Sequence, residues 1–276
     1  MKTILIINDQ TPEAEHAAAF ALVFAQKTEA NIILATHSNA NGDLIDDEWG
    51  RSTNSETILA PVHSVLMKKL LARKKSYIGF SPLIQEIEVR DEQESLVFLT
   101  TNKGIYMVVK GIEEFIPHAL INVKLCISAL LNKLQVPLLL IPSSWSEIGF
   151  KRLVYLTDLR FCGIQNVRFL AELAGKWKAS LVIAHSKVSG LPEIEVEEAE
   201  HIFSDAISLN IKYGNLFLNI LEQDNSENVL EVMVSQMHAE LLVLVNQHFH
   251  FHTLTKQYFK DGTAIFKPVP LLIFPA

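Results

Sequence analysis

The chain has only two cysteines, Cys126 and Cys162, in 276 residues. They offer no even, spaced set from which a disulfide framework could be built, so a reducing, cytoplasmic setting is expected, with a Cys126–Cys162 bridge as the alternative. Glycine is also scarce, at 11 residues, and it is never arranged as a nucleotide fingerprint. A Walker loop and a Gly-x-Gly-x-x-Gly turn are both missing, as are a His-Glu-x-x-His zinc pair and a Gly-x-Ser-x-Gly hydrolase elbow. No apolar run approaches the roughly 18 residues that a membrane-spanning helix needs, and the apolar stretch after Lys2-Thr3 is too short for a signal-peptide core. Positive charge is in deficit: 24 Lys and Arg stand against 31 Asp and Glu, a formal charge of -7. A nucleic-acid partner, which calls for a basic face, is therefore not expected.

What is present is a globular composition, 49% hydrophobic and 20% charged. It is organised as a repeat. Val136-Pro137-Leu138-Leu139-Leu140-Ile141-Pro142 returns at the C-terminus as Val269-Pro270-Leu271-Leu272-Ile273-Phe274-Pro275. At an offset of 149 residues Asp9 falls on Asp158, and the helical face Ala18, Ala21, Leu22 and Ala25 falls on Val167, Leu170, Ala171 and Ala174. At the closing Val-Pro-Leu-Leu strands the offset is 133, so sixteen residues are lost from the middle of the second copy. The loss falls mainly in the polar stretch 39–55. Two domains are expected, 1–143 and 150–276, with Pro142 to Gly149 as linker.

Continuous rather than alternating apolar runs, such as Ile4 to Ile7, predict parallel strands buried on both faces. Thr11-Pro12-Glu13 supplies a capping hydroxyl, a first-turn proline and an acid near the positive helix end, so a helix should start there. Further strands are expected at 32–35, 83–89, 105–109 and 136–141, and helices around 62–70, from the capping box Asp91-x-x-Glu94, and over 121–134. Strand and helix alternate through five strands in each half, which predicts an α/β fold of two doubly wound, five-stranded parallel sheets. Ligand crevices in such sheets lie beyond the carboxyl ends of the strands. The candidate site residues are therefore Asp9, His37, Lys110 and Gly111 in the first half, and Asp158, Ser186, Asn246 and Gln247 in the second.

The residues Lys2 to Asp9, Thr11-Pro12-Glu13-Ala14, Ala30 to Ala35 and Val136 to Pro142, with Leu156-Thr157-Asp158, Leu181 to Ser186 and Val269 to Pro275, resemble the universal stress protein family in its tandem two-domain form. The resemblance implies Rossmann-like domains of the adenine nucleotide alpha hydrolase type. It further implies a pseudo-dimer whose fifth strands meet across the interface. Nucleotide-binding members carry a strand-one aspartate and a Gly-x-x-Gly, nine-residue, Gly-Ser or Gly-Thr loop after strand four. Such glycines let backbone amides close on phosphates. Here the aspartates persist as Asp9 and Asp158, but the loops do not: the first copy reads Lys110-Gly111-Ile112-Glu113-Glu114 and the second Asn246-Gln247-His248-Phe249-His250-Phe251-His252. The family's second glycine position falls near Lys124-Leu125 and Gln257-Tyr258, neither of which contains glycine.

The resemblance therefore implies a non-enzymatic stress-response protein that acts through protein partners, with self-association beyond the fused pair open and ATP binding weak or lost. No cofactor is expected. The alternative is a sensor that still holds ATP or AMP, with Lys110-Gly111 on the phosphate side. Asp9 and Asp158 also suit plain turn chemistry after a strand, and at this point both roles stand. A third reading comes from His248, His250 and His252: in an extended segment they would present three imidazoles on one side, a donor set suited to zinc or copper. Against it, Phe249 and Phe251 would face the core and leave the histidines solvated.

Overall fold

A computed structural model describes residues 2–37, 58–59, 64–74, 79–89, 92–113, 130–188, 191–221, 229–247, 251–259 and 268–276. The polar stretch 39–55, Asp91, Lys124-Leu125, Cys126, His248, His250 and the Gly262-Thr263 pair lie outside them.

The first strand, β1 (Thr3–Asn8), has Ile4 to Ile7 buried on both faces, as a continuous apolar run requires. Helix α1 (Pro12–Thr28) follows, and Thr11 caps it: its side chain accepts from the Ala14 amide, with Pro12 in the first turn. Ala18, Ala21, Leu22 and Ala25 are all buried against the sheet. The helix ends on Glu29 in the left-handed region, with φ 56°. Its counterpart 149 residues later, Lys178, ends helix α4 (Ile164–Trp177) in the same way, with φ 55°.

The remaining strands are β2 (Asn31–His37), β3 (Ile58–Leu59), β4 (Ile84–Val89), β5 (Ile105–Ile112), β6 (Leu138–Pro142), β7 (Arg152–Thr157), β8 (Ser180–His185), β9 (Leu216–Ile220), β10 (Leu241–Val245) and β11 (Leu271–Phe274). Between them lie α2 (Val65–Lys74), α3 (Glu92–Asn102), α5 (Val196–His201, continued by π-helical turns over Ile202–Ile207), the short α6 (Val229–Glu231, extended as π-helix over Val232–Gln236) and α7 (Phe251–Tyr258). The α/β class and the doubly wound order hold. The two five-stranded sheets join edge to edge through their fifth strands, as the pseudo-dimer expectation had it, and with β3 added they form one eleven-stranded sheet, ordered β3-β4-β2-β1-β5-β6-β11-β10-β7-β8-β9. Each half runs parallel from its third strand through its second, first and fourth to its fifth. Among the described residues only two pairings are antiparallel: β3 with β4 at one edge, and β6 with β11 at the centre.

That central pairing sets Leu140 opposite Leu271, Leu139 opposite Leu272 and Leu138 opposite Ile273. The two closing Val-Pro-Leu-Leu segments thus hide each other's edges, which would otherwise present unpaired amides. The segment read as a linker is anchored. Trp145 and Phe150 are buried, and Phe150 packs on Phe20 of α1 and Trp177 of α4 with both centroids at 5.6 Å. Phe24 lies 5.0 Å from Trp177, completing an aromatic group that joins the two halves. Gly149 is needed there, because a Cβ would stand 2.5 Å from the Trp177 ring. Exposed ion pairs cross the same seam, Lys2 to Glu172 at 3.0 Å and Lys176 to Glu29 at 3.2 Å, and contribute little.

Two details depart from the sequence reading. The helix expected around 62–70 spans Val65–Lys74, and with Val65 70% exposed its core face is Leu66, Met67 and Leu70. The fourth strand does not stop at Val109 but runs on through Lys110 and Gly111 to Ile112. Replacing the fully buried Phe24 by alanine should cost about 3–5 kcal/mol in urea-induced unfolding, while Lys176→Ala on the exposed seam pair should stay within about 0.5 kcal/mol.

Candidate functional site

The carboxyl ends of β1, β2 and β4 form the floor of a cavity of ≈440 Å³ lined by Asn8, Gln10, Thr36, His37, Ser64 and Glu86, among others. Register places Asn8 beside Thr36 and Thr36 beside Glu88, two residues along β4 from Glu86 on the same face. A hydrogen-bond chain crosses this floor. Asn8 Nδ2 donates to Thr36 Oγ1 at 3.0 Å, and Thr36 Oγ1 donates to Glu86 Oε1 at 2.6 Å. The Ser64 amide, at the start of α2, donates to Glu86 Oε2 at 2.8 Å. Ser64 Oγ in turn accepts from the Met67 amide, so the hydroxyl and the Glu86 carboxylate cap α2 together.

Glu86 is buried in mid-strand. A helix N-terminus is where an anionic ligand would gain most, and here the chain's own carboxylate holds it. Glu15 and Glu88 also line the cavity, and Glu15 is matched by Lys69 at 2.7 Å. Its described lining contains no lysine or arginine. His37 ends β2 at the cavity wall, its carbonyl accepting from Gln10 Nε2 at 2.8 Å. Its Nδ1 is buried with no hydrogen-bond partner among the described residues.

Asp9 is half-buried and is not among the described residues that line the cavity. Its Oδ1 accepts from the Thr11 hydroxyl at 2.6 Å and the Thr11 amide at 3.3 Å, and its Oδ2 lies 3.1 Å from Lys110 Nζ. Burial pushes the Asp9 carboxyl up, but the Lys110 charge and the Thr11 hydrogen bonds outweigh it and hold the group below the usual carboxylate range. Lys110 and Gly111 are strand residues, opposite Leu140 and Ile141 of β6, and not the phosphate-side loop expected of them. Pairing with β6 continues the ladder where a loop was read, and Lys110, itself buried, reaches Asp9 from within it. Gly111 serves packing: a Cβ there would come 2.1 Å from the Glu13 carbonyl oxygen at the start of α1.

In the second half Asp158 is fully buried and caps the short 3-10 turn Leu159–Phe161, accepting from the Arg160 amide. The Arg160 guanidinium grips it twice, Nε to Oδ1 at 2.9 Å and a terminal nitrogen to Oδ2 at 2.5 Å, and also donates to the Pro192 carbonyl at 2.9 Å. Burial again pushes the carboxyl up and is overcome by the Arg160 bonds and charge, so Asp158 lies below its ordinary value. His185 sits beneath it with Nδ1 facing the Leu159 amide at 3.4 Å. Burial lowers its pKa against the opposing Asp158 charge. Ser186 is buried after β8, its amide donating to the Thr157 carbonyl.

Asn246 and Gln247 do not join this group. Asn246 Nδ2 donates to the Leu131 carbonyl at 3.4 Å and Gln247 Nε2 to Asn132 Oδ1 at 3.2 Å, contacts that tie β10 to the first half. Nor does an extended His-x-His-x-His strip exist at His252: the chain is helical from Phe251, which is buried, while His252 is exposed. Among the described residues no group of three His, Cys, Asp or Glu could hold a metal ion. Tyr258, near the family's second glycine position, donates to the Val269 carbonyl at 2.7 Å. Cys162 is a free thiol that burial pushes up to about 12, out of thiolate range at neutral pH.

Sequence reasoning missed Glu86, Thr36, Ser64 and Arg160. A signal existed for two of them. Glu86 shares its strand face with Ile84 and Glu88 in Ile84-Gln85-Glu86-Ile87-Glu88-Val89, two acids where a strand buried on both faces would carry apolar residues, and Arg160 follows Asp158 at a spacing that lets a long cation fold back on a cap.

No protein-family model matches the chain, and no curated protein sequence matches it. Solved structures do. A universal stress protein from Archaeoglobus fulgidus DSM 4304 is 10% identical, with a TM-score of 0.60 over 99% of this chain and 96% of that one. A functionally unknown protein from Pseudomonas aeruginosa PAO1 is 12% identical, with a TM-score of 0.58 over 99% and 92%. A candidate universal stress protein from Pseudomonas aeruginosa UCBPP-PA14 is 13% identical, at 0.57 over the same shares. The fold is that of the universal stress proteins. No helix among the described residues is long and apolar enough to cross a membrane.

Two outcomes follow from these contacts. Gly111→Ala should cost about 3 kcal/mol or more, because backbone and not a yielding side chain opposes the new methyl. The lowered carboxyls of Asp9 and Asp158 contribute stability that is complete above the unfolded value near 3.8 and lost as pH falls through their lower folded values. His185, also lowered, withdraws stability as pH falls below its ordinary value of 6.5. Melting temperature should therefore drop in two stages on acidification, and Asp158→Asn should flatten the lower stage while lowering the neutral-pH melting point.

Proposed function

We propose that the chain is a tandem universal stress protein of two domains, 1–143 and 150–276, that acts through protein partners and not through catalysis. Its nucleotide sites are degenerate and it needs no cofactor. The observation that carries the reading is that each strand-one aspartate is already neutralised inside the chain, Asp9 by Lys110 and Asp158 by Arg160. An aspartate held this way has its oxygens committed to the fold and not to a nucleoside. A triphosphate in the first-half cavity would face Glu86 and Glu88 with no cation in the described lining, and the helix end that would favour it is already capped. The likeness in fold to universal stress proteins supports the stress-response assignment, the anionic composition supports a soluble protein without a nucleic-acid partner, and the sparse cysteines support a reducing, cytoplasmic setting.

The adenine-nucleotide sensor is the second reading, favoured by the cavity itself and by the buried His37 Nδ1, which has no partner among the described residues and could take a hydrogen bond from a base or ribose. Isothermal titration of the purified protein with ATP or AMP and magnesium separates the two, together with analysis of small molecules released on denaturation. The degenerate-site reading expects no heat and no co-purified nucleotide. Micromolar binding that Asp9→Ala or Asp158→Ala abolishes would overturn it and make the chain a sensor.

A further inference from the structure

The two outer edges of the sheet are not treated alike. At the first-half edge, β4 is covered by β3, an antiparallel pair that places Ile58 beside Val89 and Leu59 beside Glu88. Strand β3 belongs to the long connection after β2, and the second copy has lost most of that connection, passing from Ser186 to α5 with no strand among its described residues. The equivalent outer strand of the second half, β9, is therefore the last in the sheet.

Hydrogen-bond parity shows which groups of β9 are left over. The Leu181 amide donates to the Asn215 carbonyl and the Leu221 amide donates to the His185 carbonyl. With the parallel register to β8, residues 215, 217, 219 and 221 spend their backbone groups inward, and Leu216, Leu218 and Ile220 direct theirs outward. Among the described residues nothing pairs with that outer row. The segment Gly214 to Leu221 contains no charge and no proline, the usual guards of an open edge. Phe217 is 50% exposed beside the exposed Asn219, while Leu216, Leu218 and Ile220 are only half-buried.

We propose that β9 is a self-association edge: two copies of this chain pair β9 against β9, antiparallel, extending the sheet across a two-fold axis. The register is self-complementary. Centred on Leu218, it sets Leu216 opposite the partner's Ile220 in hydrogen-bonded pairs, with Phe217 opposite the partner's Asn219 on the other face. A second copy is the occupant favoured because the chain already joins equivalent strands this way at β6 and β11, and because β4 shows that this edge position takes an antiparallel strand. The inference does not depend on the state of the nucleotide sites.

The test is sedimentation of the full chain over a concentration series, with backbone hydrogen exchange followed at both ends of the series. The expected result is a monomer–dimer equilibrium in which exchange at residues 216, 218 and 220 slows as dimer forms. A Phe217→Lys, Asn219→Lys double variant places lysine opposite the partner's lysine at two points and should lose the dimer. Both side chains are exposed, so its circular dichroism should match the parent. If the variant fails to fold, the parent's exchange pattern alone decides. A chain that stays monomeric throughout overturns the proposal, as does a dimer that the variant retains. Protection of the 216, 218 and 220 amides in the monomer does so too, since another segment of the chain would then cover the edge.

Discussion

The antiparallel meeting of β6 and β11 is the constraint on which the rest of the molecule depends. Each half alone would end in an apolar strand with one bare edge, and the pairing of Leu138 to Leu140 with Leu271 to Ile273 removes both edges at once. It also fixes the orientation of α1 against α4, brings Phe24 onto Trp177, and requires Gly149 to lack a side chain. The contacts of Asn246 and Gln247 with Leu131 and Asn132 belong to the same joint. Residues at strand ends where a ligand crevice was expected are in part residues of the seam.

At the carboxyl ends of the strands the two halves solve one electrostatic problem by different routes. A carboxylate near the end of a buried strand must be paired or neutralised. The first half brings Lys110 across from the next strand, and the second folds Arg160 back from two residues downstream. Because the partners come from different places, each half makes its pairing separately. In the first half Glu86 adds a further internal anion at the start of α2. Together these make the crevice a place where charge is settled within the chain.

The sequence carried the architecture because the architecture is written in hydrophobic period and repetition. Ile4 to Ile7, the Thr11-Pro12 cap and the two Val-Pro-Leu-Leu segments each have a local physical meaning, and their order twice over leaves little freedom. The site was less legible because its contacts are made between elements. Nothing near Asp9 in the chain announces Lys110, 101 positions away, and reading Gly111 as loop glycine overlooked that β5 could continue as long as β6 ran beside it. Val65 falls within the stretch 62–70 read as helix, yet α2 turns it to solvent. Trp177 and Phe150 were invisible as a pair because their contact exists only once the halves are joined.

The central claim is that the strand-one aspartates are satisfied from within. Carboxyl-carbon nuclear magnetic resonance of Asp9 and Asp158 tests it most directly, by titration with acid in the presence and absence of magnesium ATP. Both carboxyls should titrate below the ordinary aspartate range, Asp9 should rise toward that range or above it in Lys110→Met, and ATP should leave both resonances where they were. Ordinary titration in the parent, or resonances that ATP moves, would contradict the account.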